Sequence, residues 1–210
     1  LKFSESKTQK NINLNKNIKK IFKSRKIWSA ASTHDGEEKI CAEAHQKLKK
    51  KYKNLLTVII PRHVQRVDDI SKEINGMGLK VQIHSEKNKI RKDTDIYLVD
   101  TYGETQSFFK ISNVVFLGKS LTANGGQNPL EPGRFGCKIL HGPNVQNFTE
   151  VYNLLNKEGL SFKFSNKNQL IELINKGLKK NSTFSKKTIK LKKLGSNILN
   201  QNLKEINYFL

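Results

Sequence analysis

The sequence predicts an α/β fold, a parallel sheet with helices on both faces, and three observations predict it. Short apolar runs alternate with amphipathic stretches from residue 27 onward, the pattern of strand–helix–strand units. Leu55 to Ile60 is a continuous apolar run ended by Pro61, as expected of a strand covered on both faces. Each of the polar motifs, at 32–38, 61–63, 100–104, 124–131 and 141–147, follows an apolar run. Sheets of this kind bind ligands beyond the carboxyl ends of their strands, so these motifs are expected to converge on one cleft.

The elements follow in order. Residues 1–26 read as a polar lead-in with a weak helix marked by Ile18, Ile21 and Phe22. Ile27-Trp28-Ser29-Ala30-Ala31 reads as a buried strand. The turn Ser32-Thr33-His34-Asp35-Gly36-Glu37-Glu38 opens a helix of about 18 residues. Ser32 or Thr33 would cap it, and its first-turn acids complement the helix dipole. After the strand 55–60, Val64, Val67, Ile70 and Ile74 form one helical stripe over 64–75. Gly76-Met77-Gly78 ends that helix, and Leu79–Ile83, Ile96–Val99, Val114–Leu117 and Lys138–Leu140 read as further strands. A short helix follows 104, and another starts near Asn128, where proline is tolerated in a first turn. Helices near 147–158 and 167–180 and a long basic one near 185–206 complete the chain. The domain boundaries implied are a lead-in over 1–26, a Rossmann-like domain over 27–184 and a basic helix over 185–210.

Composition narrows the function classes. The chain has 210 residues, with 39 Lys plus Arg against 18 Asp plus Glu, for a net +21. Cys41 and Cys137 are too few for a disulfide scaffold and fit a reducing compartment. No apolar run reaches the ~18 residues of a membrane span, and the first 27 residues lack the apolar core of a secretory signal. Residues 1–27 carry net +8 and residues 161–210 net +9, leaving only +4 for the middle. Compositional drift toward Lys, Asn and Ile explains this as readily as attraction to an anion. The tails hold few aromatics and no nucleic-acid module. If the charge acts, it acts on an anionic lipid surface rather than on nucleic acid.

Three weak signals fail on their own chemistry. Gly118-Lys119-Ser120 resembles the end of a P-loop, but position 113 is Asn where that loop needs glycine. Gly76-x-Gly78 has Val81 in place of the third glycine of a dinucleotide fingerprint. His34, Glu37, Cys41 and His45 share a helical stripe, but their mixed softness does not suit a metal site, and no metal is expected.

The motifs that carry chemistry lie after strands. Gly125-Gly126 can turn consecutive amides toward an anion, and the helix start near Asn128 adds its positive end. Glu131 sits in that first turn, where a carboxylate can accept two ribose hydroxyls. A glycine turn before a capped helix would use the same residues. Arg62, between Pro61 and His63 at a strand end, is placed for a phosphate, or is a surface arginine after a strand-ending proline. Tyr102-Gly103-Glu104 reads as a tight turn with helix amides facing the cleft, or as a simple helix cap. Ser32, Thr33 and His34 offer hydroxyls and an imidazole to a sugar carboxylate or phosphate.

Taken together and in order, these motifs resemble the 3-deoxy-D-manno-octulosonic acid (Kdo) transferases, inner-membrane glycosyltransferases of lipopolysaccharide assembly. The resemblance rests on Ala30-Ala31-Ser32-Thr33-His34-x-Gly36-Glu37-Glu38, Pro61-Arg62-His63 and Asp100-Thr101-Tyr102-Gly103-Glu104. It continues through Gly125-Gly126-x-Asn128-Pro129-Leu130-Glu131-Pro132 and Gly142-Pro143 with Asn147-Phe148, so that it runs from about residue 1 to 205. It implies the C-terminal, nucleotide-sugar-binding half of a GT-B fold. The implied reaction transfers Kdo from CMP-Kdo to a lipid A precursor such as lipid IVA, with inversion and departure of CMP. Segments matching the family's CMP-binding segments contain Pro61, Arg62, Tyr102, Gly103, Glu104, Asn128, Pro129, Leu130 and Glu131. Ser32, Thr33, His34, Gly125 and Gly126 are expected sugar or phosphate contacts. No cofactor is implied. The family's N-terminal half would carry the membrane anchor and the catalytic base, so this chain is expected to be a fragment, inactive alone, at the cytoplasmic face of the inner membrane. The other readings are a GT-B enzyme using a UDP-sugar and a non-catalytic basic binding domain. Two positions depart from the family, which usually has His at Gln127 and Gly at Lys119.

Overall fold

The computed structural model describes residues 21, 22, 24–86 and 90–179. Within them lies one seven-stranded sheet, all of whose pairings are parallel, in the order β3-β4-β2-β1-β5-β6-β7. The strands are β1 (Lys26–Thr33), β2 (Leu55–Pro61), β3 (Val81–Ile83), β4 (Ile96–Leu98), β5 (Val114–Leu117), β6 (Lys138–His141) and β7 (Ser161–Lys163). The helices are α1 (Glu37–Lys49), α2 (Val67–Gly76), α3 (Thr105–Phe109), α4 (Leu130–Arg134), α5 (Thr149–Lys157) and α6 (Lys167–Lys179). Two 3₁₀ turns, Val64–Arg66 and Gln146–Phe148, lead into α2 and α5. The helix expected around Ile18 and the long basic helix near 185–206 lie outside the described residues.

Central strands bury both faces, and the period of two sorts their side chains. Trp28, Ala30, Leu55 and Ile59 face one core with Cys41, Ile70, Ile74, Leu170 and Ile174 of α1, α2 and α6. Ile27, Ala31, Leu56, Val58 and Ile60 face the other with Phe108, Phe109, Tyr152 and Leu155 of α3 and α5. Each fully buried Leu, Ile or Phe contributes about 1.5–3 kcal/mol of transfer free energy. Phe22, just before β1, packs edge-on to Tyr97 and Phe108 at centroid distances of 5.9 and 6.2 Å.

Two expectations change. The first helix spans 13 residues rather than about 18, because it begins at Glu37 and the motif 32–36 forms the turn before it. Ser161–Lys163 is a strand that the sequence reading omits. It has three residues and pairs only with β6, too little for a periodic signal.

Strand order reverses around β1. β2 lies on one side of it, and the chain crosses to the other side to form β5. The space beyond the carboxyl ends of β1 and β5 is therefore the topological switch point, where such sheets leave a crevice.

Candidate functional site

A cleft of about 260 Å³ occupies this point, lined by Ser32, Arg62, Tyr102, Gly103, Gln106, Asn128 and Glu131 among others. They come from four separate places in the chain: the end of β1, the segment after β2, the segment after β4 with the first turn of α3, and the segment that runs from β5 into α4. Ser32 gets there through a bulge. Register slips between Ala31 and Thr33, and Ser32 takes φ 55°, a left-handed conformation uncommon outside glycine. Arg62 is exposed, and its amide donates to the Thr33 carbonyl at 3.0 Å, tying the ends of β1 and β2 together. Tyr102 is 68% exposed, the most solvent-exposed large apolar side chain among the described residues, and it sits at the cleft. An aromatic ring held open to solvent beside an arginine suits a flat ring with a charged substituent.

Glu131 accepts a hydrogen bond at Oε1 from Gln106 Nε2 at 3.0 Å. Gln106 was not singled out by sequence, although it lies two residues beyond the Tyr102-Gly103-Glu104 motif, on the first turn of α3. Thr105, Phe109 and Leu117 also line the cleft without a sequence signal, as do Pro132, the last residue of the motif that begins at Gly125, and Gln127, one of the two departures from the family.

Several expected contacts lie elsewhere. Glu104 turns its carboxylate to His84, whose Nε2 is 2.8 Å from Oε2, and to the Thr101 hydroxyl. His84 Nδ1 in turn meets the Tyr97 hydroxyl at 2.8 Å. That chain braces the loop after β4 and leaves Glu104 out of the cleft lining. Thr33 and Pro61 are buried at the strand ends, and Pro129 and Leu130 are buried under the turn into α4. His34 lies outside the lining, with its Nδ1 3.1 Å from the Ser32 carbonyl and its ring edge-on to His63.

The glycine pair does not present free amides. Gly125 N–H donates to Gln146 Oε1 at 3.1 Å and Gly126 N–H to the Lys119 carbonyl at 2.9 Å. A Cβ would meet Asn147 Nδ2 at 2.7 Å from Gly125, and Val145 Cα at 2.9 Å from Gly126. With φ of 106° and 70°, these residues are glycine because the loop packs tightly against 144–147, not to cradle an anion. The helix expected near Asn128 is α4, a single turn from Leu130, whose amide is taken by Asn128 Oδ1 at 3.1 Å.

The switch point is held by Glu37. Its fully buried carboxylate accepts four backbone N–H groups: His34 (2.9 Å) and Lys119 (2.9 Å) at Oε2, Ser120 (3.1 Å) and Leu121 (3.0 Å) at Oε1. Sequence suggested a helix-dipole role for this residue and put it in the motif that carries the resemblance, but gave it no partner in the loop after β5. Here it is a clamp between the loops after β1 and β5, since both carboxylate oxygens are saturated by amides. Gly118 lets the loops meet: a Cβ there would lie 2.4 Å from the Ser32 carbonyl oxygen. Lys119 takes φ 57°, a left-handed conformation that glycine adopts without strain. On the α1 stripe, Cys41 is buried in the apolar core, where burial pushes its thiol well above the usual range. His45 Nδ1 is 2.8 Å from Thr57 Oγ1, and among the described residues no His, Cys, Asp and Glu group forms a metal-ligand cluster.

No family model matches the chain. It is 36% identical over 131 residues to the 3-deoxy-D-manno-octulosonic acid transferase of Haemophilus influenzae, covering 62% of this chain and 31% of that protein. Over 181 residues it is 26% identical to the transferase of the same name from Aquifex aeolicus, covering 86% of this chain and 48% of that protein. The crystal structure of the C-terminal CMP-Kdo binding domain of WaaA from Acinetobacter baumannii matches with a TM-score of 0.75 at 25% identity, covering 82% of this chain and 90% of that domain. Trehalose-6-phosphate synthase OtsA, at 12% identity and TM-score 0.53, shares the fold alone. The chain spans about a third to a half of the length of these two curated relatives. In sequence and in fold, it is related to the C-terminal CMP-Kdo-binding domain of the Kdo transferases, with the C-terminal-domain architecture of a GT-B glycosyltransferase.

Proposed function

We propose that the cleft is the donor site of a Kdo transferase and that it binds the cytidine monophosphate part of CMP-Kdo. The observation that carries this reading is the meeting of Ser32, Arg62, Tyr102, Asn128 and Glu131 in one cleft at the switch point, in a chain related to a domain described as CMP-Kdo binding. In this reading Arg62 neutralises the phosphate, Tyr102 covers the base, and Glu131, held by Gln106, accepts the ribose hydroxyls. CMP leaves as an anion, so a guanidinium beside the departing phosphate stabilises the charge that develops.

The acceptor is a lipid A precursor whose hydroxyl attacks the anomeric carbon with inversion. The general base and most of the acceptor site belong to an N-terminal GT-B half, and this half alone is inactive. The complete enzyme works at the cytoplasmic face of the inner membrane, anchored through its N-terminal half, with this half peripheral and no role for nucleic acid.

Calorimetry with CMP tests the donor site. CMP is expected to bind more tightly than UMP, and Glu131→Ala to weaken CMP by about 1–3 kcal/mol, roughly 5- to 150-fold. Absence of CMP binding would end the proposal. An unchanged affinity in Glu131→Ala would remove the ribose role.

A further inference from the structure

The tip of the loop after β4 has little packing of its own. Tyr102 is 68% exposed, and no described residue beyond the chain neighbours lies within 4 Å of the place a Gly103 Cβ would take. Yet both residues line the cleft, and Thr105 and Gln106 follow them into it. Fixing such residues when a ligand binds costs conformational entropy, unless other contacts have already ordered them.

Those contacts come from the end of β3, on residues outside the cleft lining. His84 and Ser85 grip both ends of the tip. The Ser85 amide donates to Asp100 Oδ1 at 3.0 Å, and the Ser85 hydroxyl donates to Oδ2. His84 Nε2 lies 2.8 Å from Glu104 Oε2, and the same oxygen accepts the Thr101 hydroxyl. Thr101 and Glu104 flank Tyr102-Gly103, so one carboxylate oxygen closes the turn. His84 is itself fixed. Its amide donates to the Leu98 carbonyl at 2.8 Å, its Nδ1 lies 2.8 Å from Tyr97 Oη, and its ring stands edge-on to Tyr97 and Phe108. Phe108 belongs to α3, which also carries Gln106, the partner of Glu131. The side chains of His84 and Glu104 are only 11% and 16% exposed, so water competes weakly for the bond between them.

The partners determine where the hydrogens lie. A carboxylate only accepts, so Nε2 carries the hydrogen, and in a neutral ring Nδ1 then accepts from the Tyr97 hydroxyl. Burial, with the charges of Glu104 and Asp100, pushes Tyr97 above the usual phenol range, so it keeps that hydrogen.

We propose that His84 is a positioning residue of the cleft, holding Tyr102, Gly103 and α3 in the arrangement that receives the nucleotide through its Nε2–H bond to Glu104. The identity of the ligand rests on the donor reading above, whereas the bracing of the loop does not.

The test uses the full 210-residue chain, with CMP as the calorimetric probe. Amide hydrogen exchange is read at Ser107, whose N–H donates to the Glu104 carbonyl at 2.9 Å. His84→Phe keeps an aromatic ring against Tyr97 and Phe108 but removes the donor to Glu104. It is expected to speed exchange at Ser107 and to weaken CMP, each by at least about fivefold. His84→Gln puts an amide N–H near the position of Nε2, and is expected to keep both readouts within about twofold of the unsubstituted chain. Both variants give up the Tyr97 contact and melt lower, so a purely structural role would weaken CMP alike in the two. Thr101→Val, an isosteric change at a half-buried position, acts on the same carboxylate. Its effect and that of His84→Phe are expected to be less than additive. Unchanged exchange and affinity in His84→Phe, or equal losses in His84→Phe and His84→Gln, would overturn the proposal. Should His84→Phe not fold, unchanged exchange and affinity in Thr101→Val would do the same. Failure of the unsubstituted chain to bind CMP would count against the donor reading alone, and exchange at Ser107 would then decide the brace.

Discussion

Glu37 shows how one side chain sets the geometry of a site without belonging to its lining. Its carboxylate is the shared acceptor for amides from the two loops that flank the switch point. Glu37→Gln would replace an oxygen accepting two N–H groups by an NH₂ group facing them. The expected cost is about 3 kcal/mol, two charge-assisted hydrogen bonds lost in a buried place. Urea denaturation checks it: a loss below 1 kcal/mol would mean that the loops are held otherwise. The left-handed backbones of Ser32 and Lys119 lie in this same clamp, which is where strained residues are retained. Glu104 shows the opposite case: it lies in a recognisable motif yet serves the loop through His84 and Thr101 rather than the cleft.

At the scale of elements, helix α6 meets the sheet through Gly177. A Cβ on Gly177 would come within 2.1 Å of Val114 Cγ2, on a strand that is fully buried. Glycine inside a helix ordinarily costs about 1 kcal/mol relative to alanine. Here the close helix–strand approach reverses the sign, because overpacking a dense core costs about 1–3 kcal/mol. Gly177→Ala is therefore expected to lower stability by about 1 kcal/mol in denaturant titration; a gain would show that α6 moves outward freely. The same close packing seats α6 on the sheet face shared with α1, where Tyr52 Oη donates to Asn175 Oδ1 at 2.7 Å.

Across the whole molecule, stability depends on pH through buried groups on both sheet faces. Burial pushes the His45 imidazole below its ordinary range, against the pull of Asp95, whose Oδ1 lies 3.4 Å from Nε2. Burial also lowers His141, although its Nδ1 hydrogen-bonds the Gly142 carbonyl at 2.8 Å. Burial opposes ionisation of Asp95, but His45, Lys49 and the Lys80 amide together hold its carboxyl well below the usual range. A histidine whose folded pKa is depressed binds its proton more readily when unfolded. Its contribution is complete above about pH 6.5 and declines as pH falls, by up to about 1.4 kcal/mol per pH unit per group. Asp95 adds a second decline as pH falls below about 4. Unfolding free energy measured from pH 8 to pH 3 should be level near neutrality, fall below pH 6.5 and fall again below 4. A profile flat down to pH 5 would contradict the burial of both histidines.

Alternation of apolar runs and polar motifs determined the parallel α/β architecture, because strand burial and helix amphipathicity are written at periods of 2 and 3.6. The loops that meet at the cleft were legible for the same reason: a parallel sheet delivers every post-strand segment to one edge. Ser32, Arg62, Tyr102, Asn128 and Glu131 could be named from that rule and from the resemblance. What sequence could not determine was the direction each polar group takes once the loops touch. Gly125 and Gly126 are close-packing residues, Glu104 braces a loop, Glu37 is a clamp and Gln106 supports Glu131. Such roles depend on which donor lies within about 3 Å of which acceptor across roughly twenty or more residues of chain, and only tertiary contact decides that.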